Sequence, residues 1–287
     1  AGDARGMGIA GSCLFLGHGN GAGVARGVDI FRIQDNPVRN APVKIGELPV
    51  IQVGNQGYDD RELRALLYAD SSGTDRMLLV RNATTRTEGV METFAIDPDT
   101  CMATRKSQVF DFNGPSHEFF LWYDPNNSSR VLVYMAMFAG GGLPDPADPS
   151  RRLPDAYAMA VTNENTGAVL DAPSVLATFS LEDVGGPPVN ELPDATGLYA
   201  DGRFADFSHL TDSKGRPGNF NDRQNNMLHS LSLSDDGERV YVAGGNAGFY
   251  TLNSEAVASS TNAALMEGNA GCSDRSTVAS IRGQMDA

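Results

Sequence analysis

No stretch of this chain approaches the roughly eighteen to twenty consecutive apolar residues that a membrane-spanning helix requires. Basic residues are also in the minority, with 22 Lys and Arg against 36 Asp and Glu and a formal net charge of −14. That balance argues against non-specific nucleic-acid binding, because a phosphate backbone attracts clustered Lys and Arg. It equally disfavours an anionic membrane surface. Acidity itself mainly supports solubility and names no partner. The N-terminal Ala1-Gly2-Asp3-Ala4-Arg5 lacks the basic region and apolar core of a signal peptide, although a processed mature start reads the same way.

Cysteine is scarce. Cys13, Cys101 and Cys272 are widely spaced and fit no zinc pattern. They allow one disulfide in any of three pairings, or three reduced thiols. No long amphipathic helical pattern is present, and neither is a Gly-x-Ser-x-Gly elbow or a His-Glu-x-x-His helix. Serine-hydrolase and zincin chemistry therefore have no sequence support.

Glycine and proline are plentiful, at 32 and 15 residues in a chain of 287. With short β-rich runs between them, they favour many strands joined by turns. The length suits one large all-β domain or two ordinary ones. One strand–turn–strand phrase occurs twice. Ser116-His117-Glu118-Phe119-Phe120-Leu121-Trp122-Tyr123-Asp124 leads through a turn to Arg130-Val131-Leu132-Val133-Tyr134. Leu228-His229-Ser230-Leu231-Ser232-Leu233-Ser234-Asp235-Asp236-Gly237 leads to Arg239-Val240-Tyr241-Val242. A repeated supersecondary unit buries its faces against its neighbours, which points to a β-propeller.

The expected fold is an all-β β-propeller of four-stranded antiparallel blades, incomplete in this chain. Blades fall near 10–70, 71–112, 113–181 and 227–255, with insertions at 139–155 and 182–226 and an irregular tail at 256–287. Unit one opens at Cys13–Leu16 and unit two at Arg76–Arg81, while unit four lacks a fourth strand. A ring of this type needs more repeats to close, so a further chain or further blades are expected to complete it.

The two histidine phrases, and Gly27-Val28-Asp29-Ile30-Phe31-Arg32-Ile33-Gln34-Asp35-Asn36-Pro37, resemble the LVIVD-repeat proteins over about residues 10–255. The resemblance implies a propeller that is either secreted, and so extracellular, or periplasmic, often without assigned activity. It is also similar in architecture to the selenium-binding and methanethiol-oxidase propellers, in which channel histidines hold a metal. Those carry paired-histidine motifs, whereas His117 and His229 stand singly.

If the two phrases are equivalent first strands, His117 and His229 face one channel mouth, within about 15 Å of each other. Imidazole is a common metal ligand. Glu118, His18 and His209 are candidates to complete a transition-metal site. The structural alternative is that each ring hydrogen-bonds its surroundings and fixes the repeat. The sequence favours that outcome, because two single histidines supply few ligands. Gly17-His18-Gly19-Asn20-Gly21-Ala22 matches a dinucleotide-binding pattern, but strand rather than helix follows it, and a glycine-rich connection explains it. Asp124 and Asp235-Asp236 lack the spacing of a calcium loop and suit turns.

Two functions follow. The favoured one is a binding or scaffold module whose long loops meet a protein or small-molecule partner. The other is a metal-dependent oxidoreductase or hydrolase at the channel mouth.

Overall fold

The computed structural model describes residues 4–19, 27–35, 40–53, 56–84, 89–112, 116–137, 154–179, 228–244, 248–267 and 280–282. Four antiparallel four-stranded meanders follow one another along the chain. The first holds β1 (Ala4–Ala10), β2 (Cys13–His18), β3 (Val28–Arg32) and β4 (Val43–Leu48). After a two-stranded hairpin, β5 (Gln52–Val53) and β6 (Gln56–Gly57), the second sheet holds β7 (Asp59–Ala69), β8 (Asp75–Thr84), β9 (Gly89–Ile96) and β10 (Ala103–Phe112). The third holds β11 (Ser116–Tyr123), β12 (Val131–Met137), β13 (Ala156–Thr162) and β14 (Val169–Phe179). The fourth holds β15 (Leu228–Leu233), β16 (Arg239–Gly244), β17 (Gly248–Asn253) and β18 (Ser280–Arg282). Two short helices, α1 (Glu255–Ser259) and α2 (Asn262–Glu267), lie between the last two strands.

The first strands of successive sheets lie side by side, β1 against β7, β7 against β11 and β11 against β15. They form the inner wall, and the sheets radiate from it as blades of an incomplete β-propeller. Two strands lie outside the units as the sequence suggests them. Ala4–Ala10 precedes Cys13–Leu16, and Asp59–Ala69 opens the second blade instead of closing the first. Their composition hides them. The first is glycine-rich, and the second begins Asp-Asp-Arg-Glu, a charged start that breaks the apolar alternation expected of a strand. The tail also contains α1, α2 and β18.

A separate apolar cluster fills each space between blades. Phe15, Ile30, Leu63, Leu79 and Phe94 join the first two. Leu78, Val80, Phe119, Val133 and Met159 join the second and third. Trp122, Leu132, Tyr134, Leu231 and Val242 join the third and fourth. Blade three is covered on both faces, which is why Val131–Met137 and Ala156–Thr162 are apolar throughout and buried at every position. Among the described residues blade one is covered on one face, and Met7 and Ile9 on its other face are 62% and 52% exposed. A disulfide between Cys13 in blade one and Cys101 in blade two links the pair. Cys272 lies outside the described residues.

Asp and Asn serve the blade turns as the sequence suggests. Asp70 Oδ1 accepts the Ser72 and Thr74 amides at 2.8 and 3.0 Å. Asp97 Oδ1 accepts those of Asp99 and Thr100, both at 2.9 Å. Asp124 and Asp236, weighed above as calcium ligands, accept the amides of Asn126 and Glu238. Their carboxylates close turns.

Two arginines are almost fully buried and neutralised. The Arg81 guanidinium donates to Glu92 Oε2 at 2.7 Å and to the Pro49 carbonyl at 2.9 Å. Arg130 donates to Asp124 Oδ2, to the Ala258 and Val257 carbonyls and to Asn262 Oδ1. It therefore fastens both helices to blade three.

Candidate functional site

Each of the four inner strands breaks register with its neighbour near the same end. Ala4 and Gly6 oppose His18 and Gly17, which leaves Arg5 as an extra residue. Asp60 and Glu62 oppose Ala83 and Asn82, leaving Arg61. Ser116 and Phe119 oppose Met137 and Met135, so that His117 and Glu118 face one residue of the partner strand. Leu228 and Ser230 oppose Gly244 and Ala243, leaving His229. A β-bulge bends its strand and re-aims a side chain, and such bulges gather at rims and functional sites. Equivalent positions in four blades thus carry Arg5, Arg61, His117 and His229.

The bulges bring His117 and His229 together. Their ring centroids are 4.2 Å apart, tilted at 45°. Glu118 Oε1 lies 3.8 Å from His117 Nδ1 and 3.9 Å from His229 Nδ1. One donor atom from each of the three residues falls within 4.8 Å of the others. His117 is largely buried while His229 is 51% exposed, so the cluster opens to solvent on the blade-four side. His229 Nδ1 also lies 3.0 Å from Ser230 Oγ.

The backbone under this cluster is fixed by blade two. Asn82 Nδ2 donates to the His117 carbonyl at 2.8 Å, and Ser116 Oγ donates to Asn82 Oδ1. The Phe119 amide donates to Glu62 Oε2 and the Phe119 carbonyl accepts from Arg64 Nε, both at 2.9 Å. Glu62 and Arg64 therefore grip both backbone polar groups of one residue, Phe119, across the blade boundary. Arg64 Nη2 also donates to Glu62 Oε1 at 2.5 Å. Burial pushes the Glu62 carboxyl up, and Arg64 and the Phe119 amide oppose that shift while Glu118 adds to it. A cavity of about 340 Å³ opens here between three blades, lined by Arg5, Glu62, Arg64, His117 and Glu118.

His18 lies elsewhere. It occupies the end of β2, where its Nε2 is 3.0 Å from Asp29 Oδ2. Lys44 Nζ lies 2.7 Å from the other Asp29 oxygen. Although partial burial raises the Asp29 pKa, hydrogen bonds from Lys44 and His18 outweigh it and hold the carboxyl below its ordinary range. These residues line a separate cavity of about 500 Å³. His209 falls outside the described residues. Of the five candidate ligands, His117, Glu118 and His229 come together.

No protein-family model matches the chain, and no curated protein matches it. Several solved structures are similar to it in shape. Sqt1 from Saccharomyces cerevisiae is 10% identical with a TM-score of 0.35, over 89% of this chain and 73% of that one. Sqt1 from Chaetomium thermophilum, bound to the N-terminus of ribosomal protein L10, is 8% identical with a TM-score of 0.39, over 88% of this chain. The chain spans 59% of that structure's length. A thermostable family-43 glycoside hydrolase is 9% identical with a TM-score of 0.30, over 86% of this chain and 64% of that one. Values this low carry no argument about activity or partner.

Sequence reasoning missed Arg5, Glu62, Arg64 and Asn82. One signal was available: Arg61-Glu62 stands in β7 where His117-Glu118 stands in β11. Aligning the blades on a basic residue instead of on histidine alone recovers it. The same alignment would have exposed both hidden inner strands. Asn82 is fully buried and holds the His117 carbonyl.

Proposed function

We propose that this chain is a binding module of the β-propeller type whose axial mouth holds a divalent transition-metal ion through His117, Glu118 and His229. One observation carries this reading. Two imidazoles and a carboxylate from two blades offer donor atoms within 4.8 Å of one another. Donors on a tetrahedral ion bound at 2.0–2.2 Å lie about 3.4 Å apart, so small side-chain movements would close the set. Imidazole with carboxylate suits zinc, iron, nickel or copper. Three protein ligands leave a coordination position open, and the exposed side of His229 gives access to it.

Elemental analysis of tag-free protein purified without chelator tests the reading. Near-stoichiometric metal is expected, with occupancy lowered about tenfold or more in His117→Ala, His229→Ala and Glu118→Gln. Protein without metal above background, or with occupancy unchanged by all three substitutions, would sink it.

The module is an extracellular or periplasmic member of the LVIVD-repeat type. The two histidine phrases support the family, and the Cys13–Cys101 disulfide supports an oxidising compartment. A further blade, from this protein or another chain, completes the ring against blade one. The exposed apolar face bearing Met7 and Ile9 supports that. The insertions at 139–155 and 182–226, mostly outside the described residues, are the loops we assign to partner contact. Enzymatic use as an oxidoreductase or hydrolase is the second reading, favoured by the open coordination position beside a cavity.

A further inference from the structure

We infer that the axial cavity receives a small carboxylate anion, held by Arg5 and Arg64 beside the histidine cluster. The arginine end of this site stands without a metal. Only the end that meets the ion rests on the reading above.

The arrangement of Arg64 carries the argument. Its Nε is committed to the Phe119 carbonyl and its Nη2 to Glu62, which fixes the guanidinium plane. The Phe120 ring lies 5.7 Å from its central carbon and supports it from one side. The side chain is nevertheless 42% exposed and lines the cavity. A guanidinium whose orientation is already set loses little further freedom when it binds an oxyanion, and its planar fork matches a carboxylate. Arg5 reaches the same cavity from the blade-one bulge.

Two carboxylates also line the space, and both have nitrogen neighbours. Glu62 is engaged by Arg64 and the Phe119 amide. Glu118 faces the two imidazoles. The bulge positions around the mouth carry arginine or histidine in all four blades, in a chain whose net charge is −14. Arg5 and Arg64 are permanently charged side chains lining one cavity of so acidic a chain, and they form a local attractor for an anion. A volume of about 340 Å³ admits a molecule of a few carbons.

The test is calorimetric titration of succinate into chelator-treated, metal-free protein and into Zn²⁺-loaded protein, with inorganic phosphate as comparison anion. Succinate is expected to bind the metal-free form, with affinity about tenfold or more weaker in Arg5→Gln and in Arg64→Gln. Arg76→Gln, at the start of β8 and away from the cavity, is expected to leave it unchanged. Trp122 fluorescence checks folding. If Arg64→Gln disturbs the fold through Phe119, Arg5→Gln decides alone. No succinate binding up to about 10 mM in either form overturns the inference. So does affinity unchanged in both variants, and so does tighter binding of phosphate than of succinate. Succinate affinity unaltered by bound Zn²⁺ overturns the ion end of the site. Failure of Zn²⁺ to bind at all counts against the metal reading, and the metal-free titration still decides the arginine end.

Discussion

Gly237 sits in the turn between β15 and β16 with φ at +74°, and a Cβ there would lie 2.4 Å from Trp122 Cε2. Both facts exclude a side chain. The backbone conformation belongs to glycine, and the indole face occupies the space. Trp122 Nε1 donates to the Asp235 carbonyl at 3.1 Å in the same turn, while Arg130 stacks 5.6 Å from its ring. One turn of blade four is thereby seated on one side chain of blade three. Gly237→Ala is expected to cost about 2–4 kcal/mol through strain and displacement of the indole. Trp122 is the only tryptophan, so its emission in a denaturant titration reports this contact directly. A loss below about 0.5 kcal/mol, with unshifted emission, would show that the seat is not tight.

Between elements, the blades are held by apolar clusters and by side chains that capture a neighbour's backbone. Tyr68 of β7 donates to the Gly167 carbonyl in the turn before β14 at 2.6 Å. Burial pushes the Tyr68 phenol up to about 12 from its ordinary value near 10. Below pH 10 the phenol is neutral in folded and unfolded chains alike. Between about pH 10 and 12 only the unfolded chain gives up its proton, so stability falls as pH rises through that window. Tyr68 contributes about 2 kcal/mol to that fall. Tyr68→Phe is expected to be less stable at neutral pH by about 1–3 kcal/mol, because the Gly167 carbonyl loses its donor, and to show a shallower alkaline loss. Urea denaturation at several pH values checks both, and an unchanged alkaline slope would refute the second. Strands such as Val131–Met137 were legible in the sequence because they are apolar on both faces. Ala4–Ala10 and Asp59–Ala69 were not, because glycine lets one approach its neighbour closely and the other opens on charged residues, of which Asp60 is buried beside Arg81 and Glu62 lines the cavity. The pairing of His117 with His229 was legible from the repeat. Their closeness was not, because it comes from bulges, which leave no mark in hydrophobic alternation.

Across the whole molecule, blade one is held differently from the rest. Blades two and three each pack on two neighbours, whereas blade one packs on one among the described residues. Its inner strand compensates by close approach. A Cβ at Gly6 would meet the Leu63 nitrogen at 2.9 Å, and one at Gly8 the Ala65 nitrogen at 2.8 Å, so β1 lies almost directly on β7. The Cys13–Cys101 disulfide then ties the two blades across a sequence separation of 88 residues. A crosslink spanning so long a loop restricts the unfolded chain strongly and stabilises by about 2–4 kcal/mol. Its loss should not be shared evenly. Without it, blade one keeps a single apolar interface, while blade three remains enclosed between two. The Cys13→Ser, Cys101→Ser double variant, or the wild type under reductant, is therefore expected to open at blade one first. Hydrogen exchange would show protection falling in residues 4–48 while Val131–Met137 and Ala156–Thr162 keep theirs. Equal loss in all four blades would mean that the propeller opens as one unit. No loss anywhere would mean that the glycine-mediated contact of β1 with β7 holds blade one without the disulfide.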